Sequence, residues 1–85
     1  IKDYKDRVNK EWKVMDNKKI RREFSFDDFK ESMSFANNLA DIAEEEQHHP
    51  DIIINYDKVT VELTTHAIGG LSENDFIMAS KIDDM

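Results

Sequence analysis

The hydrophobic period of this chain changes from two to 3.6 and back to two, and few small folds accommodate that sequence of periods. From Trp12, apolar and polar residues alternate: Trp12 and Val14, then, past the polar cluster Asp16-Asn17-Lys18-Lys19, Ile20, Phe24 and Phe26. Alternation puts successive side chains on opposite faces of a strand, so this stretch reads as two half-buried strands joined by a short turn. Arg22 falls among the apolar positions of the second strand, which predicts a place near a sheet edge. Phe29, Ser32, Met33, Ala36, Leu39, Ala40 and Ala43 then share one broad face at helical spacing, opposite Lys30, Glu31, Asn38, Asp41, Glu45 and Glu46. A helix over 27–46 follows, capped by Ser25 or Asp27. Pro50 has no N–H and pushes His49 out of the helical region, so it bars any continuation.

The period returns to two at Ile52, Ile54 and Tyr56, and again at Val59, Val61, Leu63 and Thr65. With Asp57-Lys58 as the turn, Tyr56 faces Val59, and counting outward sets Pro50 opposite Thr65. Gly69-Gly70 breaks the strand. Ser72 and Asp75 then have the spacing of a capping box, and Asp75, Met78, Ala79 and Ile82 mark a last helix. Tyr4 and Val8, four apart in a charged stretch, mark a short first helix over 1–11. The order is helix, two strands, helix, two strands, helix. The expectation is one α+β domain over 1–85: a four-stranded antiparallel sheet with about three helices packed on one face.

Composition closes off several functions. There is no Cys, so neither a disulfide framework nor a thiolate-built zinc site is available. Twelve Lys and Arg stand against nineteen Asp and Glu, a formal charge of −7, which opposes binding to a phosphate backbone. The longest apolar run is four residues, Phe76-Ile77-Met78-Ala79, too short to span a bilayer. A cytoplasmic protein is expected, with a nuclear pool if the source is eukaryotic. A domain this small buries little core alone, which favours association with further copies of itself.

Three histidines carry the candidate chemistry. His48 and His49 lie between the long helix and the third strand, and His66 ends the fourth. The hairpin register brings all three to one end of the sheet. Adjacent His side chains on extended backbone point to opposite sides, and neither His-x-His nor His-x3-His occurs, so no metal is expected. Proton transfer asks only for imidazoles within reach of a substrate. Simpler explanations exist for other residues. Helix capping accounts for Asp75, a helix-end carboxylate for Glu44, and the core for Phe24, Phe26, Phe29 and Phe35.

The spacing Glu44-x3-His48-His49-Pro50-x5-Tyr56-x9-His66-x8-Asp75 resembles the signature of the pterin-4α-carbinolamine dehydratase family. The flanking residues agree: Phe26-x2-Phe29, Leu39-Ala40, Ala43-Glu44, Pro50-Asp51, Thr65-His66, Gly69-Gly70-Leu71-Ser72 and Ile82-Asp83. The likeness extends over about 12–83. It implies four antiparallel strands with helices on one face, and a site built on His48, His49 and His66 with no metal and no bound cofactor. It implies dehydration of 4a-hydroxytetrahydropterin to quinonoid dihydropterin, which restores the cofactor of aromatic amino-acid hydroxylases. Glu44, Pro50, Thr65, Ala67 and Asp75 are the implied substrate-binding positions, and a homodimer or homotetramer the implied assembly. Three positions depart from the pattern: Ala67 where many relatives have an acidic residue, Gln47 where some are charged, and Glu11 where Gly is common. Without a carboxylate at Ala67 to orient His66, a modest rate is expected. A non-catalytic interaction module, of the kind in which some relatives serve a transcription factor, is the alternative, and a His-ligated metal hydrolase a third.

Overall fold

The structure, a computed structural model, describes residues 9–85. Four strands, β1 (Lys13–Met15), β2 (Lys19–Ser25), β3 (Asp51–Ile54) and β4 (Lys58–Leu63), form one antiparallel sheet in the order β1-β2-β4-β3. Two helices, α1 (Phe29–Glu46) and α2 (Glu73–Asp83), pack against each other and against one face of the sheet. The α+β layer expected from the periods is present. The helix expected over 1–11 falls mostly outside the described residues; at its end Asn9–Glu11 form a turn closed by the Trp12 N–H on the Asn9 carbonyl (3.1 Å).

The core is what alternation predicts: Trp12, Ile20, Val59, Val61 and Leu63 from the sheet meet Leu39, Ala43, Phe76, Met78, Ala79 and Ile82 from the helices. The β1–β2 turn places Asp16 and Asn17 at φ 55° and 56°. Asp and Asn tolerate that left-handed conformation better than other non-glycine residues, which is why the polar cluster turns there.

Four expectations need correction. Arg22 is not near an edge, because β2 is a central strand. Its guanidinium is accommodated by Asp83 Oδ1 (2.7 Å) and by the face of Phe24, 4.4 Å from the ring centroid. Phe29 is half exposed at the first turn of α1 rather than in the core. The cap of α1 is Asp28, whose extended backbone lets its side chain accept from the Glu31 N–H (2.9 Å). The β3–β4 turn is centred one residue earlier than counted, which slips the register by two: Ile54 pairs with Val59, Asn55 N–H donates to Lys58 O (2.8 Å), and Tyr56 is in the turn. There the carbonyls of Asp57 and Tyr56 are taken by the Phe26 N–H (2.8 Å) and the Ser32 hydroxyl (3.2 Å), which ties the turn to the end of β2 and to α1. A slip of two keeps every side chain on its face, so the core is unaffected. It sets Pro50 one step beyond the ladder, and β4 ends at Leu63 before Thr65.

The helix α1 ends at Glu46 as expected, four residues before Pro50, on a cap of its own. Gln47 enters the left-handed region at φ 53°, the Gln47 N–H bonds the Glu44 carbonyl (3.3 Å) and the His48 N–H bonds the Ala43 carbonyl (3.1 Å). These two bonds make a Schellman cap with glutamine in the position usually held by glycine. The cap turns the chain sharply and delivers His48 and His49 at the helix end.

At the far end of α2, Asp83 accepts from the Trp12 indole N–H (2.8 Å), from Arg22, and from the Asn9 N–H (3.0 Å). Lys81 Nζ donates to Glu46 Oε2 (2.5 Å), and that hydrogen bond holds the ammonium above the usual lysine range. The pair is exposed and contributes little to stability.

Two predictions follow from these contacts. Asp83→Ala leaves the largely buried Arg22 cation without its partner and should cost about 3 kcal/mol in urea unfolding at an unchanged m-value. Gln47→Gly removes the left-handed penalty at the cap and should stabilise by about 0.5–1 kcal/mol, read as a Tm higher by a few degrees in calorimetry.

Candidate active site

Three chain segments meet at one corner of the molecule, and each contributes residues singled out by the sequence. The Schellman cap supplies His48 and His49, the exit of β4 supplies Thr65 and His66, and the N-terminus of α2 supplies Ser72 and Asp75. A 3-10 turn, His66–Ile68, follows Thr65 and ends at Gly69, whose φ of 67° suits glycine.

Asp75 is the centre of the corner. It is fully buried, and both carboxylate oxygens are occupied by donors. His48 Nε2 lies 2.5 Å from Oδ1, while Oδ2 receives the Thr65 hydroxyl and the Ser72 N–H, each at 2.9 Å. A carboxylate only accepts, so the shared proton places N–H at Nε2 of His48. The other ring nitrogen, Nδ1, has no hydrogen-bond partner among the described residues. Thr65 Oγ1 also lies 2.6 Å from Ser72 Oγ. Asp75 therefore does more than cap α2. It stands behind His48 and orients the ring.

His49 is placed differently. Its side chain is 63 % exposed, and its Nε2 pairs with Glu44 Oε2, itself exposed, across the helix cap. The two adjacent imidazoles thus have unlike surroundings, one largely buried against a buried carboxylate and one in solvent beside an open one. His66 and Ala67 are exposed on the 3-10 turn, and Pro50 is partly buried between His49 and β3. His66 follows Thr65 directly, so its backbone leaves from the Asp75 network. The site hydroxyl of Ser72 was not foreseen as part of the site. Its signal was present, since a capping box whose acidic member also faces a histidine makes the capping serine a neighbour of that histidine.

Two clefts lie elsewhere. One of about 580 Å³ is lined by Arg22, Phe24, Phe26, Phe35 and Asp83 among others, and one of about 320 Å³ by Phe26, Ser34, Asn38 and Met85 among others. Neither contains a histidine, and the larger reaches the C-terminal end of α2, away from Asp75. The chemistry available at the histidine corner is proton donation and acceptance by imidazoles. No group of three or more His, Asp or Glu is gathered for a metal ion among the described residues.

Comparison with known proteins points to one family. The family model for pterin 4 alpha carbinolamine dehydratase matches residues 1–85. A protein of Alkaliphilus metalliredigens, provisionally named a pterin-4-alpha-carbinolamine dehydratase, is 46 % identical over 98 % of this chain and 75 % of its own length. One of Nitrosospira multiformis with the same name is 59 % identical over 80 % of this chain and 60 % of its own length. A solved structure from Brucella melitensis, described as a transcriptional coactivator/pterin dehydratase, superposes with a TM-score of 0.89 at 32 % identity over 98 % of this chain and 88 % of that one. A pterin dehydratase-like protein described as a RuBisCO assembly factor of the alpha-carboxysome shares the fold at a TM-score of 0.73 and 21 % identity, over 86 % of each chain. With the family model spanning the whole chain and the His48–Asp75 corner built from the residues that carry the spacing, this chain belongs to the pterin 4 alpha carbinolamine dehydratase family.

Proposed function

We propose that the chain is a dehydratase acting on a 4a-hydroxytetrahydropterin, with His48, His49 and His66 as its acid–base residues and no metal or bound cofactor. The observation that carries this reading is the pairing of His48 with the buried Asp75, which gives one imidazole a defined tautomer beside a second in a different environment. In the reaction the C4a–O bond breaks, the leaving hydroxyl takes a proton and departs as water, and N5–H gives up a proton as the N5=C4a double bond forms. One imidazolium and one neutral imidazole can supply these two transfers, each contributing roughly 10²–10⁴-fold. The third ring orients the pterin. Glu44, Pro50, Thr65 and Ala67 surround the histidines in sequence and stand as substrate-contact positions through side chain or main chain, whereas Asp75 acts from behind His48. The product, quinonoid dihydropterin, returns to the tetrahydropterin used by aromatic amino-acid hydroxylases.

A second reading is an interaction module without turnover. It draws on the Brucella melitensis structure, whose description joins a coactivator role to the dehydratase. It also draws on the outer edge of β3, which has no strand beside it among the described residues and carries the exposed Ile53 and Ile54. The same edge supports assembly into a homodimer or homotetramer. No helix among the described residues is long and apolar enough to cross a membrane.

Turnover separates the two readings. The wild type should accelerate loss of water from 4a-hydroxytetrahydropterin, followed by ultraviolet absorbance, with a bell-shaped dependence of kcat/KM on pH. His48→Ala, His49→Ala and His66→Ala should each lower kcat/KM by about 10²-fold or more. A wild type no faster than buffer, or three silent variants, would leave the interaction module standing. Light scattering should give a mass of two or four chains, and a monomer at all concentrations would end the assembly proposal.

A further inference from the structure

The loop that carries His66 and the carboxylate that holds His48 are joined through one residue. The Thr65 main chain closes the loop at its base: its N–H donates to the Gly70 carbonyl (2.8 Å), and its carbonyl accepts from the N–H groups of Gly70 (3.3 Å) and Ile68 (3.2 Å). The side chain of the same residue faces the other way, into the Asp75 network. Hydrogen-bond inventory sets the direction of each contact. The carboxylate only accepts, so the single Thr65 hydroxyl proton goes to Asp75 Oδ2, and between the two hydroxyls Ser72 is then the donor. The chain of donors runs from Ser72 O–H to Thr65 Oγ1, from Thr65 O–H to Asp75 Oδ2, and from His48 Nε2–H to Asp75 Oδ1.

We infer that Thr65 is a positioning residue for two histidines: its hydroxyl fixes the Asp75 carboxylate that keeps His48 in the Nε2–H tautomer, and its main chain anchors the turn that presents His66. The Ser72 N–H reaches Oδ2 from within the first turn of α2, so it moves with Asp75. Thr65 is the donor that reaches the same oxygen from the sheet side, and it ties the carboxylate to a second element. Without it the carboxylate can turn about its Cβ–Cγ bond, and the line from Oδ1 to His48 tilts. A displacement near 1 Å in a reacting group costs up to about 10²-fold in rate. The catalytic consequence rests on the dehydratase reading; the effect on the His48 tautomer does not.

The test compares wild type, Thr65→Val and Thr65→Ser in protein labelled with ¹⁵N at histidine. Valine keeps the shape of threonine and deletes the donor, whereas serine keeps the donor and deletes the methyl group. The wild type is expected to show His48 as a single Nε2–H tautomer. Thr65→Val should show mixed tautomers and a kcat lower by about 10- to 100-fold, with KM little changed. Thr65→Ser should restore both. A single tautomer and full kcat in Thr65→Val would overturn the inference, as would a serine variant no better than valine, which assigns the effect to the methyl group. Tautomer mixing in Thr65→Val together with an inactive wild type would uphold the positioning role and reject the dehydratase reading. Should Thr65→Val fail to fold, Ser72→Ala, which removes the donor to Thr65 Oγ1 but keeps the Ser72 N–H bond, is expected to mix the tautomers to a smaller extent; an unaltered single tautomer there would overturn the inference.

Discussion

A carboxylate with no exposed surface organises this domain. Taking such a group out of water costs several kcal/mol unless donors surround it. Asp75 finds three, from three separate segments: the end of α1 through His48, the exit of β4 through Thr65, and the start of α2 through Ser72. Charge-assisted hydrogen bonds contribute about 1.5–3 kcal/mol each, enough to offset the burial only when all are made together. The corner is therefore cooperative, because loss of any donor leaves the others holding a poorly solvated charge. The same requirement that stabilises the fold brings the histidine-bearing segments together.

The helix α2 has a second carboxylate at its other end, and the two act by opposite logic. Asp75 lies in the first turn, where the helix dipole favours negative charge. Asp83 lies in the last turn, where the dipole disfavours it, and the compensation there comes from Arg22, Trp12 and the Asn9 main chain. Arg22 pays for its place in a central strand with a buried Nε that has no partner, while its other donors and its planar face are used by Asp83 and Phe24. The helix is thus tied to the sheet at both ends by polar contacts and along its length by Phe76, Ala79 and Ile82.

The two adjacent histidines illustrate how one short cap can differentiate like side chains. The left-handed Gln47 reverses the chain so that His48 turns inward to Asp75 while His49 remains outside beside Glu44. An extended His-His pair would present its rings on opposite sides of a strand. The cap instead gives the rings different depths at one helix end, and the proposed acid–base roles rest on that difference.

The sheet faces, the core and the amphipathic side of α1 were legible in the sequence because alternation and helical spacing are local consequences of backbone geometry. The capping pair Ser72 and Asp75 was legible for the same reason. Register was less so: with no glycine in the second hairpin turn, its centre was set by the Phe26 N–H and the Ser32 hydroxyl reaching in from other elements. Arg22 was misplaced because its partner Asp83 lies 61 residues away in the chain. The sequence by itself determined most of the inward faces and set the three histidines at the ends of a helix and a strand. Only the tertiary structure decided that Asp75 looks back at His48, that Thr65 serves both sides, and that His49 remains in solvent, since a buried charge selects its partners by proximity in space.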